Sequence, residues 1–409
     1  MLSPPLGLAY VASALIAAGH LVRAYDFNIY GMKPEMVKRM ATNDPPDIVG
    51  ISAHTETIIG GFQTADLIKQ ANPNIRIVMG GPHPSIRPEE VLLRDSVDYV
   101  IIGEGEQPMV DLVNSLEDGK SSPESIKGLA YKNDSIKIND RPQLTSPNEL
   151  TYPARELFPL EFYKDRWHVL TARGSCPYKC PFCSASAIWD GKRKARTPDN
   201  IVGELRTLVE RYGVRYVFFT DDIFTVNQRW VYELLEKLKS MSNALEWGCA
   251  TRADLVDEHL LNEMASAGCR SIQFGIESGA SGILHSVKGI TKKQALEAVY
   301  TAVRADMKVA SSFMVPFPED TVETLTETIS FMKELKSLGS NILVSYTTPY
   351  PGTRFYEEAD ALGIEILSEN WSEFDAKHNI MRTKYLDEKT INHMVLKIEK
   401  EVGLKRRGK

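Results

Sequence analysis

Cys176, Cys180 and Cys183 stand at CxxxCxxC spacing in the stretch Thr171-Ala172-Arg173-Gly174-Ser175-Cys176-Pro177-Tyr178-Lys179-Cys180-Pro181-Phe182-Cys183. Closed electron-transfer clusters take four protein thiolates, so three at this spacing imply an iron–sulfur cluster with one iron open to bind and reduce a small molecule. Zinc is the alternative, but a structural zinc site closes with a fourth Cys or His, and no second pair follows. The other two cysteines, Cys249 and Cys269, stand alone in apolar stretches, where a free thiol behaves as a small buried hydrophobe. The motif gains weight only if the surrounding elements present it correctly.

Those elements belong to a chain of ordinary globular composition. Its 409 residues, 43% hydrophobic and 25% charged, hold enough apolar material for the cores of two or three domains. A formal net charge of -6 argues against gripping nucleic acid by bulk electrostatics, and no nucleic-acid partner is expected. The one dense basic run, at 404–409, is expected to be a solvated terminus. Five cysteines, three of them in one short loop, do not describe a disulfide scaffold and fit a reducing, cytoplasmic setting. The apolar stretch 6–19 follows Pro4-Pro5, has no basic residue before it, and is too short to span a membrane. It reads as a buried helix with proline at its start and Gly19 at its stop. No other apolar run is long enough for a membrane span.

Residues 1–116 alternate helical and strand patterns as an open parallel α/β sheet does. Strands are predicted at 21–25, 47–52, 75–81 and 99–103, with helices at 34–40, 62–70 and 88–93 between them. The last three strands end at Ser52, at Gly80-Gly81 and at Gly103-Glu104-Gly105. Such sheets bind ligands at the carboxyl ends of their strands, and glycine there lets a bulky ligand approach the backbone. Residues 117–165, rich in turn signals, are expected to be a linker carrying one small hairpin at 128–138.

From 166 to 353 the alternation resumes as six β/α units, with strands near 168–172, 216–220, 247–251, 271–275, 309–315 and 341–347. The cysteine loop follows the first strand. Asp221-Asp222, Arg252 and Glu277-Ser278 follow the second, third and fourth, so polar groups gather at the strand ends that form the functional face of β/α barrels. Thr197-Pro198-Asp199 and the segment 320–324 open two of the helices. A short helical tail, 354–409, remains. Its Trp371, His378 and Tyr385 carry no motif and are expected to pack the tail.

The cysteine spacing, with aromatic Phe182 before the third cysteine, resembles the signature of radical S-adenosylmethionine (SAM) enzymes. The first domain resembles the cobalamin-binding domain that precedes the barrel in one large class of them, through Pro4-Pro5-Leu6-Gly7-Leu8-Ala9-Tyr10, Gly50-Ile51-Ser52, Gly80-Gly81-Pro82-His83 and Gly103-Glu104-Gly105-Glu106. Members of that class place a strand ahead of the Pro-Pro-Leu-Gly helix, and this sequence opens on the helix, so either that strand lies outside this sequence or the sheet is one strand short. The resemblance implies a Rossmann-like cobalamin-binding domain packed over the mouth of a partial (β/α)6 TIM-type barrel. It also implies three cofactors: a 4Fe-4S cluster on Cys176, Cys180 and Cys183, SAM, and cobalamin. Phe182 would pack on adenine, Glu277 and Ser278 would contact the ribose or amine end, and Arg252 would pair with the SAM carboxylate. Arg252 could equally pair with Asp254 or Asp221. Ser52, Gly80, Gly81, Gly103, Glu104 and Gly105 would line the cobalamin. Cobalamin proteins that ligate cobalt from below carry Asp-x-His-x-x-Gly, which is missing here; His54 and His83 read as ordinary hydrogen-bonding side chains, and no protein ligand to cobalt is expected.

The activity so implied is methylation of an unactivated carbon or of phosphorus in a small-molecule or natural-product substrate. One SAM would supply a 5′-deoxyadenosyl radical and a second would methylate the cobalamin, with an external reductant such as flavodoxin or ferredoxin. Ring closure, ring contraction or oxidation with the same cofactors is the alternative, and a non-catalytic cobalamin or redox carrier is a further one. Methylthiotransferases need three more cysteines in the N-terminal domain, and none precedes Cys176. The sequence names no catalytic acid or base, and leaves open whether Asp221 and Asp222 face cofactor, substrate or the following helix.

Overall fold

The computed structural model describes residues 3–119, 122–163, 167–174, 176–189, 193–241 and 245–404. The basic run expected at the end of the chain lies almost wholly outside them. The first unit is a five-stranded sheet in the order β1 (Ile48–Ser52), β2 (Arg76–Gly80), β3 (Tyr99–Ile101), β4 (Leu129–Lys132), β5 (Ile136–Ile138). The first three strands run parallel, in a register that sets Ser52 opposite Gly80. The hairpin expected to stand in a linker instead extends this sheet: β4 pairs antiparallel with β3, Tyr131 opposite Tyr99, because Leu129, Ala130 and Tyr131 have apolar faces to bury.

The stretch that could be mistaken for a leader is the helix Leu6–Ala17, preceded by Pro5 and burying Ala9, Tyr10, Ala12, Ser13 and Leu15. Leu15 packs with Met109 and Leu112 of the helix Glu106–Asp118. The strand predicted at 21–25 does not form. The segment makes no ladder among the described residues, β1 pairs only with β2, and Leu21 is 91% exposed. Alternating side chains make a strand only where a partner edge satisfies the backbone.

The second unit follows the predicted six-strand pattern. β6 (Trp167–Val169) is followed by a ribbon of β7 (Ala172–Gly174) with β8 (Arg193–Ala195). Next come β9 (Tyr216–Phe219), β10 (Glu246–Thr251), β11 (Cys269–Glu277), β12 (Lys308–Val315) and β13 (Asn341–Tyr346), which join β6 in one parallel sheet ordered β13-β12-β11-β10-β9-β6. The strand predicted at 168–172 is thus two: the chain leaves the sheet at Val169, and the cysteine loop is carried between the strands of the β7–β8 ribbon. Helices cover the outer face. That of Pro198–Tyr212 is capped by Thr197, whose hydroxyl accepts from the Asn200 amide, and stops at left-handed Gly213. In the core Phe219 of β9 stacks on Phe224, and both rings lie tilted against Trp247 of β10.

The tail is only partly helical. A two-stranded sheet, β14 (Ile364–Ile366) with β15 (Met381–Thr383), precedes the helix Glu388–Val402. Trp371 leaves the tail to pack edge-on against His83 of the first unit, ring centroids 5.1 Å apart, and donates to Glu90 at 2.7 Å. Tyr385 does not pack as expected; it is 56% exposed.

The turn after β11 is seated tightly. A Cβ on Gly279 would lie 2.6 Å from Thr328 Cα and 2.7 Å from Phe331 Cβ of the helix Val322–Ser337. Gly279→Ala is expected to lower unfolding stability by about 1–3 kcal/mol through overpacking, measured by urea denaturation.

Candidate functional site

The carboxyl ends of β1, β2 and β3 face those of β6 and β9, with the β7–β8 ribbon, across one cavity of about 1340 Å³, part of it open to solvent; Arg252, Glu277 and Ser278 are not in its lining. Its floor is Ser52, Gly80, Gly81 and the 103–105 turn; its roof includes Cys176, Trp189, Arg193, Asp221 and Asp222. Two floor glycines are required by geometry. Gly81 has φ +97°, and a Cβ there would lie 2.8 Å from the Ala53 carbonyl and 2.9 Å from Ser52 Oγ; Gly103 has φ +81° with open space where a Cβ would be. The result is a bare backbone floor against which a large flat ligand can lie. Glu104 also lines the cavity, but its carboxylate accepts from the Thr145 amide at 3.1 Å and pairs with Arg173 at 3.3 Å. Neither histidine lines it: His54 caps the short turn Thr55–Thr57, and His83 is fully buried under Trp371, its Nε2 3.8 Å from Glu90.

The three thiols lie on one loop, near enough that Cys183 feels the charge of both others. Burial pushes Cys183 up to about 11 and raises Cys176, with Asp222 and neighbouring thiols adding to both. A cation among them reverses that, since a coordinating thiol is deprotonated outright. Among the described residues no three His, Cys, Asp or Glu side chains converge on a point that a single metal ion would fill. As a donor set, three thiols on one loop fit a 4Fe-4S cluster that leaves one iron to a small molecule. Cys249 and Cys269 are buried in the barrel core, away from the cavity.

Around the loop, the residues expected at SAM fall into two groups. Phe182 packs in an apolar cluster with Phe317 and Phe355, ring centroids 5.8 and 6.3 Å away. Arg252, Glu277 and Lys288 form a polar network at the ends of β10 and β11. The Arg252 fork is taken by Asp254, at 2.9 and 3.0 Å, and one nitrogen donates to the Lys288 carbonyl at 2.5 Å. Its guanidinium also lies 3.9 Å from the Tyr178 ring centroid. The ion pair left open by the sequence is therefore made, and Arg252 supports the cysteine loop through a cation–π contact. Glu277 sits at a bulge with φ +75°, paired with Lys288 at 3.2 Å; glycine at 275 leaves the room, since a Cβ there would lie 2.6 Å from the Glu277 carboxylate. Ser278 turns instead to accept from the Ala280 amide at 3.2 Å, beside Thr328.

Asp221 accepts from the Thr171 amide and hydroxyl, at 3.1 and 2.7 Å, with Arg193 3.6 Å away; burial raises its carboxyl to about 6. Burial raises Asp222 as well. Sequence reasoning missed Arg173, Trp189, Arg193 and Tyr10, all lining the cavity. Two had a signal: Arg173 as a lone charge among small residues before the first cysteine, and Tyr10 as the last residue of the Pro4–Tyr10 motif; nothing marked Trp189 or Arg193.

A B12 binding domain model matches residues 2–113 and a radical SAM superfamily model matches 173–332. An uncharacterized methyltransferase of Pyrococcus horikoshii is 32% identical over 96% of this chain and 86% of its own length. The chain is a cobalamin-binding radical SAM enzyme. The anaerobic magnesium-protoporphyrin IX monomethyl ester cyclase of Rubrivivax gelatinosus is 28% identical over 94% of this chain and 71% of its own. The fold matches the radical SAM methyltransferase TsrM of Kitasatospora setae, solved with cobalamin and a 4Fe-4S cluster bound, at TM-score 0.78 and 14% identity, covering 98% of this chain and 86% of that one.

For this radical SAM enzyme, Cys176→Ala is expected to abolish both bound iron and SAM cleavage, whereas Cys249→Ala keeps its iron, measured by iron and sulfide content after reconstitution. In the cofactor-free protein, Asp221 holds its proton to about pH 6 in the fold against 3.8 as the ordinary value. The native state then binds more protons than the unfolded state, so this stabilisation is full below about pH 4 and lost as pH rises through 6. Relative to Asp221→Asn, the wild type should lose about 3 kcal/mol across that window, read from urea midpoints at each pH.

Proposed function

We propose that this enzyme transfers a methyl group from SAM to an unactivated carbon, or to phosphorus, of a small-molecule or natural-product substrate held in the cavity between the two units. The observation that carries the reading is the single cavity itself, with the cysteine loop on one wall and the glycine floor on the other. When bound, the cluster with SAM supplies one-electron hydrogen abstraction and cobalamin supplies a methyl carrier. The chain's own part is positioning and exclusion of water. Leu6, Leu8, Val11 and Met109 give the cavity an apolar side, while Asp221, held by Thr171 and flanked by Arg193, keeps a proton-exchanging group at the roof. The methyltransferase names of the Pyrococcus relative and of TsrM support this reading. An external flavodoxin or ferredoxin as electron donor belongs to it. Among the described residues no helix is long and apolar enough to cross a membrane.

Ring closure without methyl transfer is the second reading, favoured by the cyclase relative. Product stoichiometry with the true substrate separates them. Methylation is expected to yield 5′-deoxyadenosine and S-adenosylhomocysteine in equal amounts, with label from methyl-SAM in the product. Turnover giving 5′-deoxyadenosine but no S-adenosylhomocysteine would overturn methyl transfer and favour ring closure, ring contraction or oxidation with the same cofactors.

A further inference from the structure

Arg173 is the middle residue of β7, three positions before Cys176, and only 8% exposed. Its two terminal nitrogens lie 3.3 Å from Glu104 and 2.5 Å from Glu106, and its guanidinium lies 4.6 Å from the ring centroid of Tyr10. All three partners belong to the cobalamin-binding unit. Tyr10 is on the helix Leu6–Ala17, Glu104 is in the turn after β3, and Glu106 is the first residue of the helix Glu106–Asp118. That helix start favours an acidic side chain, and the Thr145 amide serves the other carboxylate.

Stability does not demand such a cluster. Apolar residues of similar volume do as well or better in a buried interface, and the best-attested gain from buried charge is a fixed register between the parts it joins. Here the parts are the loop that carries the three cysteines and the turn that forms the glycine floor. A guanidinium can hold two carboxylates at defined angles, which an ammonium cannot. Such a fixed register matters to a reaction between two bound groups, because a displacement of about 1 Å between them can cost roughly 100-fold in rate.

We propose that Arg173 is a positioning residue that latches the cysteine loop to the Glu104–Glu106 turn and so fixes the separation of cluster and corrin. The inference rests on the reading that both cofactors work in this cavity, and not on methyl transfer. The test uses substrate-free enzyme reconstituted with iron, sulfide and cobalamin, and measures the distance distribution between the reduced cluster and cobalt(II) by dipolar EPR. Arg173→Met is expected to retain iron and cobalamin while the distribution broadens about twofold, and Arg173→Lys, which keeps the charge without the fork, to fall between it and the wild type. Should the lone Met variant fail to fold, Arg173→Met with Glu106→Gln removes the charge left unpaired, and the same broadening is expected. A distribution as narrow as the wild type's in a folded Met variant overturns the proposal. Complete loss of cobalamin overturns it too, since Arg173 and its two carboxylates would then be part of that cofactor's binding site. Neither readout involves product, so a failure of methyl transfer leaves this result to stand or fall separately.

Discussion

Parallel strands present their ligand-binding loops at their carboxyl ends, so a protein that uses two parallel sheets on one reaction must turn those ends toward each other and keep them there. Everything between the sheets serves that constraint. The helix Leu6–Ala17 is tied to the segment connecting the units: the Ala154 amide donates to the Ala9 carbonyl at 3.0 Å, and Ser13 donates to the Tyr152 carbonyl at 2.8 Å. Tyr163 reaches back to Asp26 at 2.8 Å, and Arg141 donates to the Ile188 carbonyl at 2.9 Å. Trp371 closes the far side on Glu90. Since most of these bonds are buried or half-buried, removing one partner strands the other without water and costs more than the intact bond contributes net.

The same economy of positions governs the cysteine loop. It is held at both ends by the β7–β8 ribbon, from one side by Arg252 under Tyr178, and from the tail by the Phe355 amide, which donates to the Pro181 carbonyl at 3.2 Å. Phe182 anchors it in the apolar cluster that β14 and β15 complete through Ile364 and Met381. A loop proposed to present three thiols to a cluster does so best when its backbone is already fixed. The tail, which carries no motif, thus supports the chemistry through packing.

Some of this is written in the sequence. CxxxCxxC, the serine and glycines ending successive strands, and the caps at Thr197 and Thr321 are local signals, because they depend on backbone conformation and on spacing within a few residues. They suffice for the six parallel strands, the cavity floor and the cluster loop. No strand forms at 21–25 because alternation says nothing about whether an edge is near to pair with, and the hairpin at 128–138 reads as part of a linker because its partner, the free edge of β3, lies outside the hairpin's own sequence. The sequence offered Arg252 two carboxylates, Asp254 and Asp221, and the resemblance a third partner in SAM; only the folded chain gives it Asp254 and Tyr178. Arg173 shows the division most clearly: its chain position beside the cysteines is legible, but its partners Glu104 and Glu106 are about seventy residues away in sequence. A long charged side chain is satisfied by whatever the fold brings within a few ångströms, and that is decided by how the two sheets pack.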